Sequence, residues 1–251
     1  MRTALALFTI APVRDAATLT RERAAVALRW FPLLGAGLGG LAALPLAAVR
    51  AWASHATLLG AVLAVGLLAL GSRGLHLDGL ADTADGLASR APAERALSIM
   101  HRSDIGPFGA LAIVLAVLVD VAALAAFTGS VWRPVAALAL GAATGRLAVL
   151  HAAHPSVPSA RTTGFGAYVA GSVSTSVAVL ETGLVLGAAA GLAVAVHASL
   201  AGWLAAPAAA LLIVAGVRWH ATRRLGGVTG DVFGALIEIG TALTLTGLAL
   251  S

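Results

Sequence analysis

Seven apolar runs, each near the length that crosses a bilayer, limit what this chain can fold into more than any other feature. They lie at 30–49, 56–72, 105–127, 134–150, 177–197, 199–217 and 231–250. A spanning helix needs about 20 predominantly apolar residues, because hydrocarbon offers the backbone no hydrogen-bonding partner and a helix satisfies it internally. The expected fold is all-α: a polytopic integral membrane bundle of about seven transmembrane helices, bounded by six and eight. The second run is short and the fifth carries Glu181, which sets those bounds. Composition agrees, since 59% of the 251 residues are apolar and 11% charged, whereas a soluble domain has roughly 25% charged residues. The same balance argues against a soluble enzyme and rules out a disordered chain. Glycine and proline recur inside the runs (Gly35, Gly37, Gly39, Gly40, Pro45, Pro207), where small residues let membrane helices pack closely. No repeat and no long linker divides the chain, so residues 1–251 read as one integral membrane domain.

Orientation follows from the basic residues, which are retained on the cytoplasmic side of short loops. All 16 are arginine, and the formal net charge is +5. Arg2, Arg14, Arg21, Arg23, Arg29, Arg73, Arg90, Arg95, Arg102, Arg146, Arg161, Arg218, Arg223 and Arg224 fall on one side. Only Arg50 and Arg133 fall on the other. This predicts a plasma (inner) membrane protein with a cytoplasmic N-terminus. The stretch Ala4 to Val13 is too short for a signal-peptide core and runs into Arg14 and Asp15 without a cleavage site; it is expected to be retained and to lie at the interface. Arginine grips phosphate with a two-pronged fork, so anionic headgroups and phosphorylated ligands suit this chain. Nucleic acid does not, because the arginines form no basic face interleaved with aromatics.

The carboxylates are few and clustered. Of 11, five (Asp78, Asp82, Asp85, Glu94 and Asp104) fall within the single segment 73–107, here expected to be cytoplasmic. If LHLDGLADTADGL is helical, Asp78, Asp82 and Asp85 share one face through i, i+4 and i, i+3 spacing. Like charges so placed repel, and a divalent cation removes the penalty. With no cysteine in the chain the ligands must be oxygen or imidazole, which makes Mg²⁺ the expected ion, since it is held by one or two carboxylates plus substrate phosphates. The plainer alternative is a solvated acidic face. Gly79 and Gly86 beside the carboxylates would let a ligand approach the backbone.

A second signal precedes the last run, where Arg223, Arg224, Leu225, Gly226, Gly227, Val228, Thr229, Gly230 and Asp231 lead into an apolar helix. Glycines before a helix N-terminus can present N–H groups to an anion, and the two arginines favour phosphate. Asp231 could equally be an N-cap. Glu238, roughly 10 Å deeper on the same face, is either functional, as intramembrane carboxylates are by default, or the partner of an arginine such as Arg146. His76 is a base or a second-layer residue, and Asp104 a ligand or the N-cap of the third span. Asp120 and His197 fall near the outer surface. The His151/His154 pair shows no chemistry that spacing alone defends. Together these residues describe phosphoryl transfer, which requires positioning and charge neutralisation.

The motifs also carry a resemblance. Leu75 to Leu87 (LHLDGLADTADGL), then Arg95-Ala-Leu-Ser-Ile-Met100, Ser103-Asp-Ile-Gly106 and Phe108-Gly109, resemble the hallmark stretch of the cobalamin synthase family, the adenosylcobinamide-GDP ribazoletransferases. Gly226-Gly-Val-Thr-Gly-Asp231 with Gly234, Ala235 and Glu238 resembles that family's C-terminal motif, and Phe8 to Val13 and Trp30-Phe-Pro-Leu33 fit its early features. Two departures stand out: Ser72-Arg73-Gly74 replaces the usual double Gly, and His101-Arg102 a more common Lys-Asp pair.

The resemblance implies the condensation of adenosylcobinamide-GDP with α-ribazole, or its 5′-phosphate, into adenosylcobalamin, or its 5′-phosphate, with release of GMP. It implies Mg²⁺ on Asp78, Asp82 and Asp85, with Asp82 central. His76 or Asp104 would accept the hydroxyl proton. Arg90, Arg223, Arg224, Gly227, Thr229, Gly230, Asp231 and Glu238 would bind substrate. Two competitors remain. DTADGLASR nearly matches the opening of the CDP-alcohol phosphotransferase motif, but the aspartates that should follow are missing. A transporter could use Glu181, Glu238 and Arg146, but a carrier keeps its site near the midplane and these carboxylates concentrate in one loop.

Overall fold

The computed structural model describes residues 2–10 and 20–251, which form a helical bundle with no strand among them. Two short helices come first, α1 (Arg2–Phe8) and α2 (Arg21–Arg29). The first span, Phe31–Trp52, is broken into α3 (Phe31–Ala42) and α4 (Leu44–Trp52). The break falls two residues before Pro45, which has no N–H to give the preceding turn. A single 3₁₀ turn (Ser54–Ala56) leads into α5 (Thr57–Gly71), then α6 (Leu75–Ala88) and α7 (Ala93–Ile99) lie between spans. The remaining spans are α8 (Pro107–Ala126), α9 (Trp132–Ala152), α11 (Thr175–Ala195), α12 (Leu200–Leu225) and α13 (Gly230–Ala249), with the short α10 (Phe165–Val169) in the loop after α9. Among the described residues, seven helical segments are thus long and apolar enough to cross a membrane.

The bundle is built around α9. Within its apolar window 83% of residues are buried, against 22% for α11 and 28% for α12. Small residues explain this. A methyl group at Gly39 of α3 would sit 2.5 Å from the Leu138 carbonyl oxygen, and Gly35 meets the Ala142 backbone in the same way. On the other side Gly145 lies against Ile237 of α13, so α3, α9 and α13 pack almost backbone to backbone. Dispersion between such close surfaces replaces the hydrophobic drive that a bilayer cannot supply between helices.

Three expectations change in detail. The sixth span is longer than 199–217, and Arg223 and Arg224 belong to the last turn of α12. Asp120 is not near the surface: it is buried within α8, with Oδ1 lacking a partner. The N-terminal segment is not laid on the interface, since Ala4 and Phe8 of α1 are buried and the Phe8 ring lies 4.3 Å from that of Phe31; Ala11 to Leu19, including Pro12, Val13, Arg14 and Asp15, lie outside the described residues. At the end of the bundle away from α6, the two segregated arginines bind loop carbonyls, Arg50 that of Phe127 and Arg133 those of Val196 and His197.

Candidate active site

The site begins where α5 turns into α6. Arg73 and Gly74 both take left-handed backbone angles, φ 57° and 68°. The Gly74 N–H donates to the Ala69 carbonyl and closes the end of α5. Glycine adopts this conformation without strain, whereas arginine does so at a cost.

From there α6 runs across α13. A methyl at Gly79 would lie 2.7 Å from the Asp231 carbonyl oxygen, and one at Gly234 would lie 3.0 Å from that of His76. Gly79 therefore admits the neighbouring helix, not a ligand, and Gly86 likewise admits the Met100 side chain. This approach sets Asp231 beside the acidic face of α6. Asp78 is exposed and Asp82 half-buried. Burial pushes the Asp82 carboxyl up to about 7, helped by repulsion from Asp231, Asp78 and Asp85, with Arg161 pulling the other way. Arg161 is held by a 2.9 Å bond to the Leu97 carbonyl, which fixes it between α7 and the carboxylates. It was invisible in the sequence, because its loop has no motif and only the pairing of 158–160 with residue 228 brings it in.

Asp85 has a different task. Its Oδ2 accepts from the Gly106 N–H (2.7 Å) and its Oδ1 from the Gly109 N–H (2.9 Å), so it caps the N-terminus of α8 from another helix. Gly106, the N-cap residue, has no side chain to do so. Asp104 is neither cap nor neighbour of the cluster: both its oxygens pair with exposed Arg102 at 2.8–2.9 Å.

Deeper in, His76 is buried, its Nδ1 3.7 Å from a Glu238 oxygen and its Nε2 without a partner. Burial, with the Arg146 charge nearby, holds the imidazole well below its usual range, so it is neutral. Arg146 does not touch Glu238 within ion-pair distance among the described contacts; it donates to the Ala142 carbonyl and lies over the Phe31 ring at 5.7 Å. His76, Asp78, Arg73 and Asp231 line a cavity of about 390 Å³ whose walls include Phe8, Phe31, Phe165 and Phe233.

The glycine-rich loop is used differently from an anion cradle. Gly226, at φ 81°, ends α12. Gly227 packs on the backbone of Pro158 to Ala160, the Val228 N–H donates to the Pro158 carbonyl, and the Ala160 N–H donates back to Val228. Thr229, not Asp231, is the N-cap of α13, and its hydroxyl also donates to Asp231 Oδ2. Gly230 lines the cavity. Arg224 reaches the Ala91 carbonyl, and exposed Arg223 stacks on Trp219 at 4.8 Å. Arg90, exposed and left-handed at φ 52°, follows the end of α6. The structure thus joins Asp78, Asp82, Asp231 and His76 at one place, with Glu238 behind His76. It leaves Asp104 and Arg223 on the surface. Among the described residues, no three His, Asp or Glu side chains are close enough as they stand to form a finished metal-ligand set.

Both long motifs, one on α6 and one leading into α13, therefore meet at a single contact. The sequence profile of cobalamin-5-phosphate synthases matches residues 1–249. This chain belongs to that family. Cobalamin-5-phosphate synthase relatives span nearly its whole length. An adenosylcobinamide-GDP ribazoletransferase of Frankia casuarinae is 40% identical, covering 100% of this chain and 94% of its own. One from Nocardioides sp. is also 40% identical, over 97% and 95%. One from Klebsiella pneumoniae is 35% identical, over 94% and 93%. No solved structure matches.

Proposed function

We propose that this chain joins adenosylcobinamide-GDP to α-ribazole, or its 5′-phosphate, at the contact of α6 with α13. A ribazole hydroxyl attacks the phosphorus bonded to cobinamide, the bond to GMP breaks, and GMP leaves with its electron pair. One observation carries the reading: Asp78 of α6 and Asp231 of α13, brought together from the two family motifs, line an aromatic-walled cavity, and the Asp82 carboxylate lies within electrostatic reach of both. About 390 Å³ suits a small aromatic nucleoside, and the phenylalanine faces suit its flat base. The larger corrinoid would remain outside, on the membrane surface.

The chemistry of the donors, all carboxylate oxygens, suits Mg²⁺. Asp82 holds its proton up to about 7 chiefly through burial and then through its acidic neighbours, with one nearby guanidinium opposing them, so a cation beside these carboxylates would be favoured. Asp78, Asp82 and Asp231 would hold the ion, and when bound it would neutralise the diphosphate and the departing phosphate. Asp85, engaged at both oxygens by α8, contributes charge rather than a free ligand. His76 is placed to accept the hydroxyl proton, because it lines the cavity and its Nε2 is unpartnered. Glu238 behind it orients the ring. Arg161 and Arg73 offer charge to the phosphates. The excess of arginines at this end of the bundle favours a cytoplasmic site.

Purified protein incubated with adenosylcobinamide-GDP, α-ribazole and Mg²⁺ should release GMP, read by anion-exchange chromatography. Asp82→Asn should abolish the release while inserting and melting normally. Full release by that variant would remove the acidic face from the reaction.

A further inference from the structure

A second groove, of about 590 Å³, opens between α9, α11 and α12. It involves none of the residues assigned above. Its polarity runs in one direction on all three helices. At the end of the bundle that carries Asp231 it is lined by His151 of α9, Thr175 and Thr182 of α11 and Arg218 of α12, with His154 from the loop beyond α9. Further in, each helix turns apolar. Leu186 follows Thr182 by four residues, about 6 Å, and Leu211 precedes Arg218 by seven, about 10 Å, at 1.5 Å per residue.

The polar end is organised. His151 Nε2 lies 2.9 Å from the Thr182 hydroxyl, and the two ring nitrogens of His154 bond Ser156 and Thr175. Arg218 donates one bond, to the His151 carbonyl at 3.1 Å. It makes no ion pair among the described residues, and no carboxylate lines the groove. A guanidinium carries five N–H donors, so most of its valence is open at a site that supplies no anion of its own. The neighbouring groove between α3, α9 and α11, about 560 Å³, differs in this respect: Arg29 there is accompanied by Glu181.

We propose that the α9/α11/α12 groove binds an anionic phospholipid, its phosphate on Arg218 and the histidine–threonine cluster and an acyl chain along Leu186, Leu211 and Leu212. Charge complementarity selects the head, and the apolar inner half selects an occupant with a tail. This needs no assumption about the reaction.

Native mass spectrometry on the purified full chain, released from micelles with equal phosphatidylglycerol and phosphatidylcholine, tests it. Wild-type protein should retain phosphatidylglycerol in preference. Arg218→Gln should weaken that retention about ten-fold, as expected for loss of one charge-assisted contact. Because Arg218→Gln also frees the His151 carbonyl, Ala215→Trp provides a second route: Ala215 is an exposed lining residue, and an indole there blocks the tail while leaving every cation in place. Retention should fall in this variant too, and millimolar inorganic phosphate should not displace the lipid. Equal retention of the two lipids, unchanged retention in both variants, or displacement by inorganic phosphate would each overturn the proposal.

Discussion

The first two turns of α6 and its last turn carry the same residue type and meet different fates. Asp78 and Asp82 lie beside α13 and its Asp231, where the neighbouring carboxylates raise the Asp82 carboxyl and Arg161 opposes them. Asp85, three residues on, faces α8 and accepts two backbone N–H bonds. A carboxylate at a helix N-terminus is stabilised by donors and dipole together. A carboxylate facing another carboxylate is stabilised by neither. One helix thus anchors the fold at one end and stores unbalanced charge at the other, and the stored charge is what a metal–diphosphate complex would use.

Substituting each aspartate in turn should separate the two roles. Asp82→Asn should lower GMP release roughly a thousand-fold, the loss of several kcal/mol of transition-state stabilisation expected if Asp82 helps to hold Mg²⁺ as proposed. Its melting temperature should hold or rise. Asp85→Ala should do the reverse. Removal of the α8 cap should destabilise the protein by about 1–2 kcal/mol, seen as a lower melting temperature in detergent. The Mg²⁺ concentration for half-maximal activity of the surviving protein should stay the same. Equal effects of both substitutions on that concentration would erase the distinction.

The sequence made the fold legible because the requirement for apolar length is absolute in lipid and leaves its mark on every span; the break before Pro45, the extension of α12 to Leu225 and the burial of α1 against Phe31 lay beyond it. The acidic face was legible for a similar reason, since i, i+3 and i, i+4 spacing fixes which residues share a side. What a helix face meets is another matter. Nothing local to Asp85 says that α8 starts beside it, or that Gly227 is a packing glycine lying on Pro158. Arg161 and Phe165 come from a loop whose path depends on a two-residue pairing with Val228, a long-range contact with no periodicity to announce it. Single-residue alternatives such as Asp104 stayed open until the structure set it in an exposed pair with Arg102.

Proton linkage offers a gentler test of the uncompensated half. The Asp82 carboxyl rises from 3.8 to about 7, chiefly through burial and then through its acidic neighbours. The folded state therefore holds this proton more tightly than the unfolded chain does. The group favours folding at low pH, and that contribution is lost as pH climbs from the unfolded value toward about 7. Without metal, the melting temperature should fall across this window. In Asp82→Asn the fall should be reduced, and saturating Mg²⁺ should flatten it in the wild type. A slope untouched by both would mean that Asp82 is not the group that titrates.

The smallest effect concerns the hinge that aims the acidic face. Arg73 holds φ 57° next to Gly74 at 68°, a conformation that costs a non-glycine residue roughly 1 kcal/mol or more. Arg73→Gly removes that strain, but glycine also loosens the unfolded chain, which offsets part of the gain. Side-chain interactions of Arg73 are lost as well, so the net change in stability should be small, at most about 1 kcal/mol in either direction. Arg73 also lines the cavity beside Asp78, so the same variant should raise the Michaelis constant for adenosylcobinamide-GDP while leaving kcat nearly unchanged. A residue held there only by the turn would leave the Michaelis constant unchanged. A residue that contributes charge to substrate would raise it while stability moves little.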